Sequence, residues 1–356
     1  MRNYNKIDFF VSSELYIQMP QPTLHTFFGG INTSVPTWFV LDYDPIENIC
    51  KARFVRSEPS DISSVCQVGW RATGKKIFIG MTTSASQLPI WGDREGTSCT
   101  SVPMLKSLIQ KCVRRGRADL AVSAAYNLAL LDPLALFRRW PIVAVEDALP
   151  LLGLTECIWA MAACYGRLNI PEILIYQLLS DVHHASELSV TKVFPASTKT
   201  DTMQLNNISE IFQSNVEIGS LLYALLYRKA NGGTAFDMGL LMNCTDSLTL
   251  THQRVIQPRT PIRSFDTIKL GPTTWELAAV DQHCSCIIQM LKATLPQILN
   301  GISTEELGGI MWRKSGGVSF KRTVLLGTNT QDDEIWKSIY PTVVRLAKRI
   351  VAKCTS

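Results

Sequence analysis

No apolar run in this chain is long enough to cross a bilayer. The most apolar stretch, Leu149 to Tyr165, is interrupted by Pro150, Gly153 and Glu156, whereas a spanning helix needs about 20 nearly uninterrupted apolar residues. That stretch reads as a buried helix. The opening MRNYNKIDFF carries an early basic residue but lacks the apolar segment of a secretory signal. There is no CxxC pair, no internal repeat and no low-complexity tract. The 10 cysteines are scattered, several of them inside helical apolar patterns. They read as reduced core thiols rather than a disulfide framework. Neither serine nor cysteine sits in a nucleophile-elbow setting. These absences exclude a membrane span, a disulfide-stapled secreted module and a solenoid. The expected location is intracellular, in cytoplasm or nucleus.

What is present argues for a folded core. Of 356 residues, 46% are hydrophobic and 18% charged, enough apolar surface to offset the entropy of ordering. The length exceeds one small core, so two domains or one elaborated domain is expected. The net charge of +5 comes from 35 basic and 30 acidic residues, and its placement matters more than its size.

In the first hundred residues, β-branched and aromatic runs recur at Phe10–Met19, Thr37–Asp44, Lys51–Ser57, Ser64–Trp70 and Lys75–Thr83, separated by turn formers. Past the loop Pro89–Val102 the period becomes helical: Met104, Leu105, Leu108, Ile109, Cys112 and Val113 form one stripe. Pro103 suits a first helical turn and Gly116 a stop. A second helix is expected over Asp119–Leu131. A short third one is expected from Asp132-Pro133 to the residue before Pro141. Further helices are expected near Val143–Leu149, Thr155–Tyr165, Pro171–Ala185, Ile208–Lys229, Phe236–Cys244, Thr273–Leu295, Ser303–Trp312 and Asp332–Lys353. Ser303 with Glu306 spells a capping box. The expected fold is α+β and predominantly α, a β-rich module over residues 1–100 on a helical domain over 101–356.

The densest chemical signal is Lys106–Arg139. It holds Lys106, Lys111, Arg114, Arg115, Arg117, Arg138 and Arg139 against only Asp119 and Asp132. Cations at helix C-termini are favourable in themselves, and Glu146-Asp147 lies close enough in sequence to pair with Arg138 or Arg139 inside the fold. Facing outward together, the same arginines make a phosphate-contacting surface. The order LKSLIQKCVRRG, AYNLALLDP, FRRWPIVAVEDA, within residues 104–150, resembles the helical collar of replication-fork maintenance ATPases related to clamp loaders. The same landmarks, with YALLYRKANGG and AVDQHCSCI, are similar to those of uncharacterised proteins of large DNA viruses and protists. The resemblance implies replication or repair company and oligomerisation, but no specific reaction. The ATPase domain is missing from it. The nearest approach to a phosphate-binding loop, Gly69 to Lys76, has Lys76 where the magnesium-binding hydroxyl belongs, and a strand pattern follows. It reads as a β-turn with two lysines, and no ATPase activity is expected.

Four further constellations carry chemistry on paper. Asp42 and Asp44 end an apolar strand and share one face by the two-residue alternation. Such a pair can hold Mg²⁺ or Mn²⁺ for nucleotidyl transfer or strand cleavage, while Asp44-Pro45 equally opens a turn. His283 and Cys286 are neighbours at helical spacing and could share zinc, but nothing completes four ligands; Cys284 continues a core stripe instead. Arg313, Lys314, Lys321 and Arg322 bracket a glycine loop able to approach phosphate. Arg345, Lys348, Arg349 and Lys353 line a terminal amphipathic helix, which reads either as a solvated face or as a surface for nucleic acid or anionic membrane. The favoured expectation is a non-catalytic nucleic-acid-associated protein of replication, repair or packaging without a resident cofactor. The two alternatives are the Asp42/Asp44 metal enzyme and a structural protein that assembles as a homo-oligomer or with replication or assembly partners.

Overall fold

The computed structural model describes residues 36–70, 75–92, 101–114, 116–148, 152–187, 205–251, 285–315 and 330–355. They form an α+β protein, predominantly α, with a small sheet near the N-terminus. The described residues fall into two compact units, one within Thr23–Thr274 and the other within Trp275–Ser356. No helix among the described residues is long and apolar enough to cross a membrane.

Four strands, β1 (Trp38–Asp44), β2 (Ile49–Val55), β3 (Ile62–Trp70) and β4 (Lys75–Thr82), make a sheet in the order β2-β1-β4-β3. β1 pairs antiparallel with β2 and parallel with β4, and β3 pairs antiparallel with β4. Gly69 and Lys76 face each other across that last ladder, so the segment Gly69 to Lys76 joins two strands rather than opening a helix. The expected run Phe10–Met19 lies outside the described residues.

β1 is buried on both faces from Trp38 to Leu41, and the two-residue alternation buries Cys50, Ala52 and Phe54 of β2 and Ile77, Ile79 and Met81 of β4. Beyond the sheet come α1 (Thr83–Ser86), α2 (Val102–Arg114), α3 (Ala118–Leu131), α4 (Pro133–Asp147), α5 (Leu154–Tyr165), α6 (Glu172–Glu187), α7 (Leu205–Ser214), α8 (Val216–Ala230) and α9 (Ala235–Thr251). Helices α5, α6 and α8 pack against β2. Phe54 stacks on Phe39 at 4.1 Å between ring centroids and meets Tyr223 of α8 at 5.6 Å. Trp159 of α5 donates its indole N–H to the Phe39 carbonyl at 3.1 Å.

The outer edge of β2 is closed by side chains instead of another strand. Gln177 of α6 accepts from the Cys50 amide at 2.6 Å and donates back to the Cys50 carbonyl at 2.9 Å. This reproduces the double exchange of a hydrogen-bonded pair between antiparallel strands. Glu156 accepts from the Ala52 amide at 2.8 Å, and Ser220 from the Phe54 amide at 3.0 Å. A buried edge would otherwise leave alternate backbone groups without partners. At the other end of α5, the space where a Gly166 Cβ would stand is occupied by Cys66, whose Sγ lies 1.9 Å from that point. Only glycine allows the approach.

Two expectations about helices are corrected. The helix expected to stop before Pro141 continues to Asp147 as α4, with Pro141 inside it. Proline removes an amide and crowds the preceding turn, and the Phe137 carbonyl, four residues back, is left without that amide. Cys157 Sγ of α5 approaches the Phe137 carbonyl at 3.5 Å. Arg228 of α8 donates to the Arg138 carbonyl from Nε at 3.0 Å and from Nη2 at 2.8 Å. Burial, and then the Arg138 charge, bring the Arg228 guanidinium down to a pKa of about 10. Conversely, the single helix expected over Ile208–Lys229 divides at Asn215, whose side chain accepts from the Ile218 amide at 3.1 Å and caps α8.

The second unit contains α10 (Ser285–Thr294), α11 (Thr304–Ser315) and α12 (Thr330–Thr355). They enclose a core that includes Ile287, Leu291, Leu307, Met311, Ile339, Val343 and Leu346. Ser303 Oγ accepts from the Glu306 amide at 3.0 Å, the half of the capping box that starts α11.

Candidate phosphate-contacting surfaces

The arginine cluster divides along the seam between α2 and α4. At one end Arg114, with its side chain 14% exposed, donates from Nε to Asp147 Oδ1 at 2.5 Å and from Nη2 to Asp147 Oδ2 at 3.0 Å. The same Nη2 reaches Glu146 Oε1 at 3.3 Å. Gln110 donates to Glu146 Oε2 at 2.7 Å and accepts from Arg139 Nη2. Glu146 and Asp147 therefore neutralise Arg114, where the sequence suggested Arg138 or Arg139. Burial, and next the adjacent Asp147 charge, push the Glu146 carboxyl above its ordinary value against the pull of Arg114 and Arg139.

The other end of the seam is different. Lys106, Arg138 and Arg139 are half-buried, and among the described residues none of them forms an ion pair. Arg138 donates from Nη1 to the Tyr165 hydroxyl at 2.7 Å. Burial lowers the Lys106 pKa first; Asp132 opposes, while Arg139 and Arg138 lower it further as like charges. Lys111 is buried on α2, and Arg117 is exposed at the start of α3. Arg115 lies outside the described residues.

In the second unit Arg313 falls on α11, and Lys314 pairs with Asp333 of α12. Lys321 and Arg322 lie outside the described residues. The open cationic face is on α12. Lys337, Arg345, Lys348 and Arg349 are exposed, while Ile339, Val343, Leu346 and Ala347 face the core. Positions 337, 341, 345 and 348 follow helical spacing on one side. No Asp or Glu follows Glu334. Tyr340, 46% exposed, packs against Trp336 at 5.2 Å beside this stripe. Among the described residues, the apolar side chains of Ile339, Val343, Leu346 and Ala347 on α12 are taken up by its own core.

Asp42 and Asp44 do share a face of β1, and the hairpin register sets Lys51 opposite Asp42. Lys51 lies 3.1 Å from Asp44 Oδ2 and 2.5 Å from Glu47. Asp44 Oδ1 accepts from the Ile46 and Glu47 amides at 3.0 and 3.1 Å, holding the turn. Those turn bonds, foremost the one from Glu47, keep the Asp44 carboxyl below its ordinary value. Asp42 Oδ1 accepts from Tyr43 N, Thr82 Oγ1 and Ser84 Oγ at 2.9, 2.9 and 3.2 Å. The ammonium among these carboxylates supplies locally the positive charge that a divalent ion would bring.

Cys286 is on α10, and His283 lies outside the described residues. Among the described residues no group of three or more His, Cys, Asp or Glu is placed to hold a metal ion. Burial pushes the thiols up, Cys50 and Cys244 to about 12 and Cys164 to about 11, away from nucleophilic use. The sequence reading passed over Lys337, Gln110 and Tyr165. Lys337 was detectable as the residue two turns before Arg345 on the same stripe. Gln110 and Tyr165 carried no signal, since each acts only through a neighbouring helix.

Comparison with protein-family models, with curated proteins and with solved structures found no match.

Proposed function

We propose that this chain is a non-catalytic nucleic-acid-associated protein that holds the phosphate backbone through the basic stripe of α12. The observation that carries the reading is the exposure of Lys337, Arg345, Lys348 and Arg349 on a helix segment without carboxylates. From Lys337 to Arg349 the helix runs about 18 Å at its usual rise. That distance matches roughly five phosphates of one strand at about 3.4 Å each. Arginine's planar fork suits phosphate oxygens, and Tyr340 adds a ring on which a base can stack. The likeness of residues 104–150 to the clamp-loader collar suggests replication or repair as the setting. Their own charges contribute less to strand binding, because Arg114 is occupied by Glu146 and Asp147.

The test is fluorescence anisotropy with single- and double-stranded DNA and with RNA over a salt series, with and without Mg²⁺. Binding is expected to weaken steeply with salt. The double variant Arg345→Glu/Arg349→Glu is expected to lower the slope of log K against log salt by about two. Absence of binding at low salt, or a slope unchanged in the double variant, rejects the reading. Cleaved products in the Mg²⁺ arm would replace it with a nuclease.

A further inference from the structure

The seam between α2 and α4 has a direction. Gln110 meets Arg139 and Glu146, and Arg114, one turn further along α2, meets Glu146 and Asp147. The two helices therefore run the same way, and Lys106, one turn before Gln110, stands level with the first half of α4. At that level Asp132 has its Oδ1 engaged by the Ala135 amide at 2.9 Å, as the cap of α4. Glu146 and Asp147 thus meet Arg114 at one end of the seam, and at the other Lys106, Arg138 and Arg139 outnumber the one carboxylate beside Lys106, that of Asp132.

We propose that Lys106, Arg138 and Arg139, with the Tyr165 hydroxyl, form a site for a single phosphate monoester, that of a nucleotide or of a nucleic-acid end. The side chains come from two rigid walls. Arg139 is oriented by Gln110, and the backbone of Arg138 is pinned by the two bonds from Arg228. Arg138 already donates to Tyr165, so an oxyanion lodged there meets a donor held in place. A monoester carries close to two negative charges near neutral pH, a better match to the excess of three cations over the neighbouring Asp132 than the single charge of a backbone diester. The site shares no residue with the α12 stripe, and either can fail without the other. Burial first, and then the Arg139 and Arg138 charges against the pull of Asp132, disfavour the charged form of Lys106, and a bound anion would offset that.

The test uses the full chain at a salt concentration that screens backbone binding. Inorganic phosphate, 5′-AMP, and one oligonucleotide with a 5′-phosphate or a 5′-hydroxyl are titrated by calorimetry and thermal shift. Wild type is expected to bind phosphate and to prefer the 5′-phosphorylated strand to its 5′-hydroxyl twin. Lys106→Gln and Arg138→Gln are each expected to weaken phosphate at least tenfold. Lys106→Gln is also expected to melt no lower than wild type without ligand. Equal affinity for 5′-AMP and the phosphorylated strand assigns the site to free nucleotides; tighter strand binding assigns it to ends. Unchanged affinity in both variants overturns the proposal. So does a destabilised Lys106→Gln, or loss of phosphate binding in Arg345→Glu/Arg349→Glu instead.

Discussion

The closed edge of β2 gives a sharp quantitative test through Gln177. Its side chain is 7% exposed and the Cys50 it serves is fully buried. Gln177→Ala removes the acceptor for the Cys50 amide and the donor for the Cys50 carbonyl together. Each buried backbone group left without a partner costs about 1–3 kcal/mol, so the substitution should cost about 2–6 kcal/mol. For a unit of this size, 1 kcal/mol corresponds to about 2–4 °C, which places the melting temperature about 10 °C lower. Gln177→Glu separates polarity from shape. It keeps the acceptor for the amide but turns a second oxygen toward the Cys50 carbonyl. Protonation would restore the donor, so the introduced carboxyl should have a raised folded pKa. Its deficit should therefore be small in acid and grow as pH rises through that value. Urea denaturation with hydrogen exchange at the β2 amides reads both effects. A Gln177→Ala cost below about 1 kcal/mol, with the Cys50 amide exchanging no faster, would refute the view that a side chain substitutes for a strand here.

Two further outcomes follow from local geometry. Gly166→Ala would set a methyl group 1.9 Å from Cys66 Sγ and should cost about 1–3 kcal/mol by overpacking; a denaturation double-mutant cycle should show Cys66→Ala recovering much of it. Glu146 has a folded pKa raised above 4.5 by burial and by Asp147, so its contribution is present in acid and is lost as pH rises through the folded value. The urea midpoint of Glu146→Gln, followed from pH 4.5 upward, should therefore decline less than that of wild type.

How far the sequence carried depends on the range of the interactions involved. β1 to β4 lie close to their expected bounds because alternation and turn formers act locally, and the stripe of α2 announces itself through its period. What escaped depends on register between elements. Nothing in the spacing of Arg114 and Glu146 says that α2 and α4 run alongside one another, so Arg138 and Arg139 were equally eligible partners. The Asp42/Asp44 pair was legible, but the contact of Lys51 with Asp44 required the hairpin register. The continuity of α4 through Pro141 was hidden for the same reason: the thiol that meets the Phe137 carbonyl comes from α5. The exposed cations of α12 were visible as a pattern, and only their surroundings distinguish a free face from one already paired.

Pro141 and Cys157 also constrain how this chain can change over generations. An ordinary residue at 141 would return an amide to the Phe137 carbonyl four residues back, and the Cys157 thiol would lose the acceptor it now meets. Without the cysteine, and with the proline kept, that carbonyl would face α5 with no thiol to meet it. A descendant that has lost the proline is therefore expected to be free to carry an apolar side chain at position 157, chosen for volume alone.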